Sequence, residues 1–254
     1  MAQTDEEIHT TVRASYTRLA VASTSCCGPA PTELGCCGPA PTEVGYRPEE
    51  LADLPDEAVM GLGCGNPVAL ADIEEGDTVL DLGSGGGIDV FLAARKTGDT
   101  GRVIGVDMTP EMLQRAKANA GRLGLDNVEF RRGLIEELPV ADASVDVIIS
   151  NCVINLAPDK GRVFAEVLRV LRPGGRLVVS DIVTDGPLPD SVADDPAAWA
   201  SCVAGALPRD DYLDTIRAAG LIDVEVLKQD GSGSGPLISI TVRAMRPPAH
   251  GRST

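Results

Sequence analysis

Residues 78–87 read TVLDLGSGGG. An apolar run holding one carboxylate, Asp81, passes straight into a cluster of glycines, and IDVFLAARKTG (88–98) follows with apolar residues at helical spacing. A buried strand that ends in a glycine loop and opens a helix is the start of a β–α unit. The pattern then repeats. RVIGVDMT (102–109) reads as a second strand, and PEMLQRAKANAGRLGL (110–125) as a helix with proline in its first turn. VEFRRG (128–133), VDVIIS (145–150) and RLVVSDIV (176–183) are three further strands, with the helix KGRVFAEVLRVL (160–171) before the last. Alternating strands and helices imply an α/β fold, a doubly wound and mostly parallel sheet with helices on both faces. VEVLKQ (224–229) and LISITVRA (237–244) flank DGSGSG, a hairpin signature that puts an antiparallel C-terminal hairpin at the sheet edge.

The chain's 254 residues, 43% of them hydrophobic, suit one sizeable core with appendages. Its net charge of −16, with no basic run longer than two, would be repelled by phosphate backbones, so no nucleic-acid partner is expected. MAQTDEEIHT at the start is acidic and lacks the basic and apolar regions of a signal peptide. No apolar run approaches the ~20 residues that a membrane helix needs. A cytoplasmic location, where thiols stay reduced, is the expectation. Seven cysteines, an odd number, argue for ligands or nucleophiles rather than a disulfide framework. The only two histidines, His9 and His250, lie near the ends, which disfavours triads and histidine-rich metal sites.

Before the first strand, residues 5–21 carry Ile8, Val12, Tyr16 and Leu19 at helical spacing behind a Thr4/Glu7 capping box, predicting a helix that packs on the body. A ten-residue unit then occurs twice, CCGPAPTELG and CCGPAPTEVG, placing Cys26, Cys27, Cys36 and Cys37 in Gly- and Pro-rich sequence without regular structure. The chain divides accordingly into an N-terminal helix and tandem Cys-Cys repeat (1–50), a core (51–185), and a C-terminal segment with the edge hairpin (186–254).

The loop Asp81-Leu82-Gly83-Ser84-Gly85-Gly86-Gly87 lets backbone approach a ligand at a helix N-terminus. Asp107, ending the second strand, suits the two hydroxyls of a ribose. A dinucleotide fingerprint would want glycine where this chain has Ile88, though spacing alone leaves a nicotinamide cofactor open. Asp81 would repel a pyrophosphate and attract the cationic amino-acid end of S-adenosylmethionine. DLGSGGG, VDMT and VLRPGGRLVVSD (170–181) together resemble class I, Rossmann-like methyltransferases over about residues 70–185. The resemblance implies S-adenosylmethionine on Asp81, Gly83, Ser84, Gly85, Gly87, Asp107 and Met108, with Ile135 and Glu136 over the adenine and Asn151 near the methyl group. Leu134 departs from the pattern, many relatives having aspartate there.

Three cysteines lie outside the repeat: Cys64 in GLGCGNP, Cys152 in SNCVINL after the fourth strand, and Cys202 in AAWASCVAGAL. Ligands bind at the carboxyl ends of strands in such sheets, and Cys152 belongs there by pattern. Three thiolates make a soft, trigonal site; zinc would want a fourth ligand, and no fourth cysteine lies outside the repeat. The three cysteine phrases together resemble the arsenite methyltransferase family over about residues 46–220. That resemblance implies trivalent arsenic held by Cys64, Cys152 and Cys202 as catalytic residues, with arsenite and methylarsenite arriving as thiol complexes and a cellular thiol reductant (glutathione or thioredoxin type) restoring the cysteines. Cys36 and Cys37 are candidates for early capture. Two other readings are weighed: a carbon or oxygen methyltransferase of the quinone-biosynthesis kind, with no use for three cysteines, and a non-catalytic thiol module for soft metals, with no need of the glycine loop.

Overall fold

The computed structural model describes residues 4–21, 40–189, 192, 195–231 and 236–249. The core is a seven-stranded sheet of β1 (Thr78–Leu82), β2 (Arg102–Asp107), β3 (Val128–Arg132), β4 (Val145–Asn151), β5 (Leu171–Thr184), β6 (Ile222–Gly231) and β7 (Leu237–Met245), in the order β3-β2-β1-β4-β5-β7-β6. β1 to β5 run parallel, with Leu82 opposite Val106 on one side and Ser150 on the other. β7 is antiparallel to β5 and pairs with β6 as the expected edge hairpin.

Successive residues of a strand point to opposite faces, so a strand that is apolar at every position must be covered twice. Val79, Val103 and Val147 pack under α4 (Ile88–Thr97) and α5 (Pro110–Leu123), together with Val68 of the short α3 (Pro67–Leu70), which follows the equally short α2 (Pro48–Leu51). Their neighbours Leu80, Ile104 and Ile148 pack on the other face under α6 (Lys160–Val170) and a later helix, Arg209–Ala218. Both faces are thereby buried, the doubly wound arrangement that the sequence implies. Strand β5 starts earlier than its apolar stretch suggests. Leu171 pairs with Val145 before a register shift, so RPGG lies within the strand rather than before it.

At the N-terminus, α1 (Asp5–Val21) begins with the expected capping box: the Glu7 amide donates to Thr4 Oγ1, and the Thr4 amide to Glu7 Oε2. The helix lies across the carboxyl end of the sheet, burying Ile8 and Val12 against Cys152, Leu156 and Cys202. Most of the doubled Cys-Cys unit, including Cys26, Cys27, Cys36 and Cys37, lies outside the described residues. Among those described, no helix is long and apolar enough to cross a membrane.

Candidate active site

A cleft of about 1100 Å³, open in part to solvent, lies where β1, β2 and β4 end. Its floor is the glycine loop after β1. Gly83, Gly85 and Gly87 have φ of 70°, 49° and 99°, a left-handed region that side chains rarely adopt. At Gly83 a Cβ would also come within 2.4 Å of the Val153 side chain, so a larger residue would wedge the loop off β4. Ser84 is buried here, and its Oγ has no hydrogen-bond partner. A buried hydroxyl left unpaired marks a position for a ligand atom.

The cleft is acidic. Asp81, Asp89 and Asp107 all line it, and burial pushes each carboxyl above the usual range. Asp89, at the start of α4, is pushed up to about 6 by burial, partly offset by hydrogen bonds from Tyr46 and Asn151. Asp107 accepts from the Gly85 amide (3.0 Å) and the Thr109 amide (2.8 Å), one bond per oxygen, leaving acceptor capacity on both. The site can hold a cation with hydroxyls. Met108, Ile135 and Glu136 line the same cleft. Glu136 carries a contact the sequence did not suggest: His9 Nε2 of α1 lies 2.8 Å from its Oε1.

Asn151 ends β4 beside the cleft, as expected, but its amide is engaged with protein. Its Oδ1 accepts from the Cys64 amide (3.0 Å) and the Gly65 amide (3.3 Å). Its Nδ2 donates to Gly65 O (2.8 Å), to the Tyr46 hydroxyl (2.8 Å) and to Asp89 Oδ2 (3.2 Å). The Tyr46 hydroxyl in turn donates to Asp89 Oδ1 at 2.7 Å. This network explains the glycines around Cys64. A Cβ on Gly63 would meet the Asn151 side chain at 2.6 Å, and one on Gly65 the Ser180 side chain at 2.4 Å. The loop is pressed between β4 and β5.

Cys64, Cys152 and Cys202 meet at this edge, in one cluster with Ile8, Val12, Tyr16, Leu156 and Trp199. The Cys202 thiol donates to the Cys152 carbonyl at 2.9 Å. Cys152 and Cys202 hold φ of 59° and 63°, left-handed backbone that costs a residue with a Cβ about 1–2 kcal/mol. Nothing in the sequence announces that strain. The Cys152 amide donates to Ser180 O at 2.8 Å, which fixes the turn after β4 to β5.

All three thiols are held neutral. Burial raises Cys64, with a smaller push from Asp181. For Cys152 the contact with Cys202 pulls downward, but the contact with Cys64, burial and the charge of Asp181 together lift it well above the thiol range. Cys202 is raised by its contact with Cys152 and by burial, while Tyr16 eases it slightly. Asp181, fully buried in β5, has a carboxylate oxygen within 4.8 Å of the Cys64 and Cys152 sulfurs. Sequence reading missed this residue; its one signal is a lone carboxylate inside the apolar strand RLVVSDIV. It missed Tyr46 and Asp89 as well, since neither falls in a recognisable phrase.

These features can be set beside known proteins. A methyltransferase-domain family model matches residues 73–226. The arsenite methyltransferase of Halobacterium salinarum is 48% identical over 89% of this chain and 60% of its own length. That of Aquipseudomonas alcaligenes is 42% identical over 68% of this chain and 52% of its own length. An arsenic(III) S-adenosylmethionine methyltransferase from Chlamydomonas reinhardtii superposes with a TM-score of 0.66 at 38% identity, covering 84% of this chain and 75% of that one. The chain belongs to the arsenite methyltransferase family. It spans little more than half the length of the two curated relatives, 60% and 52%. In this chain the glycine loop and Cys152 line one cleft, and Cys64 and Cys202 join Cys152 in the cluster beside it.

Proposed function

We propose that this chain transfers the methyl group of S-adenosylmethionine to trivalent arsenic bound by Cys64, Cys152 and Cys202, yielding methylated arsenicals. The observation that supports it most is the meeting of three neutral thiols, from three separate segments, beside an acidic cleft at the strand ends.

The cleft fits the cofactor. Asp81 and Asp89 offer negative charge to a sulfonium and an ammonium, the unpaired Ser84 hydroxyl offers a hydrogen bond, and Asp107 has free acceptor capacity for two ribose hydroxyls. Ile135, with Met108, gives an apolar wall to a flat base, and Glu136 borders it. When bound, S-adenosylmethionine supplies a methyl group already activated by its sulfonium charge. The chain's task is then alignment, which can recover on the order of 7–11 kcal/mol of barrier. Each cysteine gives up its proton as its sulfur bonds to arsenic, the proton leaving with the ligand displaced, as free thiol from a thiol complex or as water from an arsenic-bound hydroxyl. Arsenic keeps a lone pair opposite the three sulfurs, so the attacking atom carries no proton and no general base is required. Asn151 acts here as a positioning residue, hanging Cys64 from the strand that leads into Cys152.

We further propose the three-part organisation 1–50, 51–185 and 186–254, a cytoplasmic location, delivery of arsenite and methylarsenite as thiol complexes, and a glutathione or thioredoxin type of reductant. The doubled Cys-Cys unit would serve as a tethered capture clip, with Cys36 and Cys37 as the pair nearer to Cys64 in sequence. The test is to incubate the chain with cofactor, arsenite and a thiol, then to speciate arsenic by chromatography with mass detection. Methylarsenicals that vanish in Cys152→Ser support the reading. Methylation of a carbon or oxygen acceptor by that variant, or arsenite binding without turnover, would overturn it.

A further inference from the structure

A trigonal three-sulfur site has no use for a carboxylate, yet one stands in it. The Cys64 sulfur, the Cys152 sulfur and an Asp181 oxygen all lie within 4.8 Å of one another. Two sulfurs and a carboxylate oxygen are donors that zinc accepts, and zinc takes four ligands in a tetrahedron. With bonds of ~2.0–2.3 Å, tetrahedral donors stand about 3.5 Å apart, so these three need to draw in by no more than roughly 1.3 Å. Cys202, already against Cys152, is a fourth donor once its thiol leaves the Cys152 carbonyl. The sequence offered no fourth ligand for zinc outside the repeat. The fold supplies one from β5.

We propose that Cys64, Cys152, Asp181 and Cys202 form a binding site for Zn²⁺, and that zinc and trivalent arsenic compete for the three sulfurs. The carboxylate is oriented as metal-binding carboxylates are, with its other lone pairs engaged. The Ile182 amide donates to Asp181 Oδ1 at 3.0 Å and the Tyr212 hydroxyl to Oδ2 at 3.2 Å. Lys160 is a cation whose charge acts on this carboxylate, donating to Ala157 O at 3.2 Å and lying 5.9 Å from the Trp199 ring centroid. Its charge offsets part of the excess negative charge that two or three thiolates and a carboxylate leave on a zinc dication. Each cysteine releases its proton to solvent as its sulfur bonds to the metal, and nothing is oxidised or reduced. Arsenic bound to three thiolates is already neutral and leaves Asp181 with Lys160 and Tyr212. The carboxylate is therefore what distinguishes the two occupants. Zinc would keep the thiols from oxidation and act as a reversible inhibitor.

The zinc site itself does not depend on the arsenic reading; only the competition does. The test uses the full chain with Cys26, Cys27, Cys36 and Cys37 changed to serine, so that the doubled unit cannot hold metal. Titrating the reduced protein with Zn²⁺ against a chromophoric chelator should give one zinc per chain. Asp181→Asn should weaken zinc by roughly tenfold or more, while arsenite still titrates one per chain. X-ray absorption on the zinc-loaded parent should show sulfur at ~2.3 Å and an oxygen at ~2.0 Å. No stoichiometric zinc, an all-sulfur shell, or unchanged affinity in Asp181→Asn overturns the site. Should Asp181→Asn not fold, the absorption shell of the parent decides alone. Arsenite that fails to displace zinc removes the competition and leaves the site. Zinc binding in a chain that never methylates arsenite removes the proposed function and leaves the site likewise.

Discussion

The backbone amide of Cys64 donates to Asn151 Oδ1 at 3.0 Å, so the first thiol is suspended from the residue directly before the second. Ser239, on β7, holds the other side of the same residue, donating to the Cys64 carbonyl at 2.8 Å. Cys64 is thus placed by two bonds to its backbone rather than by a strand or helix of its own.

Asn151→Ala should therefore act through Cys64. It removes three bonds to the loop, from the Cys64 and Gly65 amides and to the Gly65 carbonyl, each worth about 0.5–1.5 kcal/mol, and should raise the KM for arsenite on the order of tenfold. Methylarsenite has one valence on carbon and can take only two protein sulfurs. Cys152 and Cys202, which touch each other, are the natural pair, so methylarsenite turnover should suffer less in Asn151→Ala and in Cys64→Ser. Steady-state kinetics on the two substrates check this. Equal losses on both would show that Cys64 is not the ligand that becomes dispensable.

Asp107→Asn should weaken S-adenosylmethionine more than it weakens the fold. The substitution keeps an acceptor for one of the Gly85 and Thr109 amides, sets an NH2 group against the other, and removes the charge. Each charge-assisted bond to a ribose hydroxyl is worth ~1.5–3 kcal/mol, so the loss should be about tenfold to a hundredfold in Kd by calorimetry. An unchanged Kd would move the ribose elsewhere.

The sheet was legible in the sequence because parallel strands buried on both faces must be apolar at nearly every position, and Val79-Leu80, Val103-Ile104 and Val147-Ile148 display that need openly. Cys152 was legible for the same reason, as the residue after a strand end. The placement of α1 was not. Its stripe of Ile8, Val12 and Tyr16 says that the helix packs, but an amphipathic face carries no address. Asp181 and Asp89 were hidden too. A carboxylate in an apolar strand and one at a helix start look ordinary until the fold brings the first to two sulfurs and the second to Tyr46 and Asn151. The left-handed backbone at Cys152 and Cys202 depends on tertiary bonds, such as that from the Cys152 amide to Ser180, and leaves no local trace.

Cofactor affinity should depend on pH near 6. Asp89 is raised to about 6 by burial. Above that pH it is a carboxylate and attracts a cation; below it the group is neutral and does not. Affinity for S-adenosylmethionine should rise with pH through about 6 as Asp89 ionises, with up to about one proton released from it on binding near that midpoint, and Asp81, which burial raises well above the carboxylate range, should extend the rise to higher pH. The sign for folding is opposite. A carboxyl raised in the folded state contributes stability below its unfolded pKa of ~3.9 that is lost as pH rises through about 6, and a bound cation removes that loss. Calorimetry in buffers of differing ionisation enthalpy reads the proton directly. S-adenosylhomocysteine, lacking the sulfonium charge, should show a shallower slope. The same slope for both ligands would show that the buried carboxylates do not read the sulfonium.

The helix α1 should behave as the roof of the thiol cluster. Val12 is fully buried against Cys152 and Cys202, the Tyr16 hydroxyl meets the Cys202 thiol, His9 pairs with Glu136, and Thr17 Oγ1 donates to Glu111 at 3.1 Å. None of these contacts is needed by the sheet, whose two cores lie elsewhere. Val12→Asp puts an unpaired carboxylate against two thiols at the wall of an acidic cleft, a cost of at least ~2 kcal/mol, and so should raise the open population of α1 more than tenfold without unfolding the rest. A maleimide should then label Cys152 and Cys202 at least tenfold faster than in the parent. Trp199, the chain's single tryptophan and a member of the same cluster, should shift its emission to the red. Val12→Ala, which leaves a small cavity and no charge, should show a weaker form of both changes. If Val12→Asp labels no faster than the parent while circular dichroism shows the sheet intact, then α1 does not guard the thiols, and their access is controlled from the side of the cofactor cleft instead.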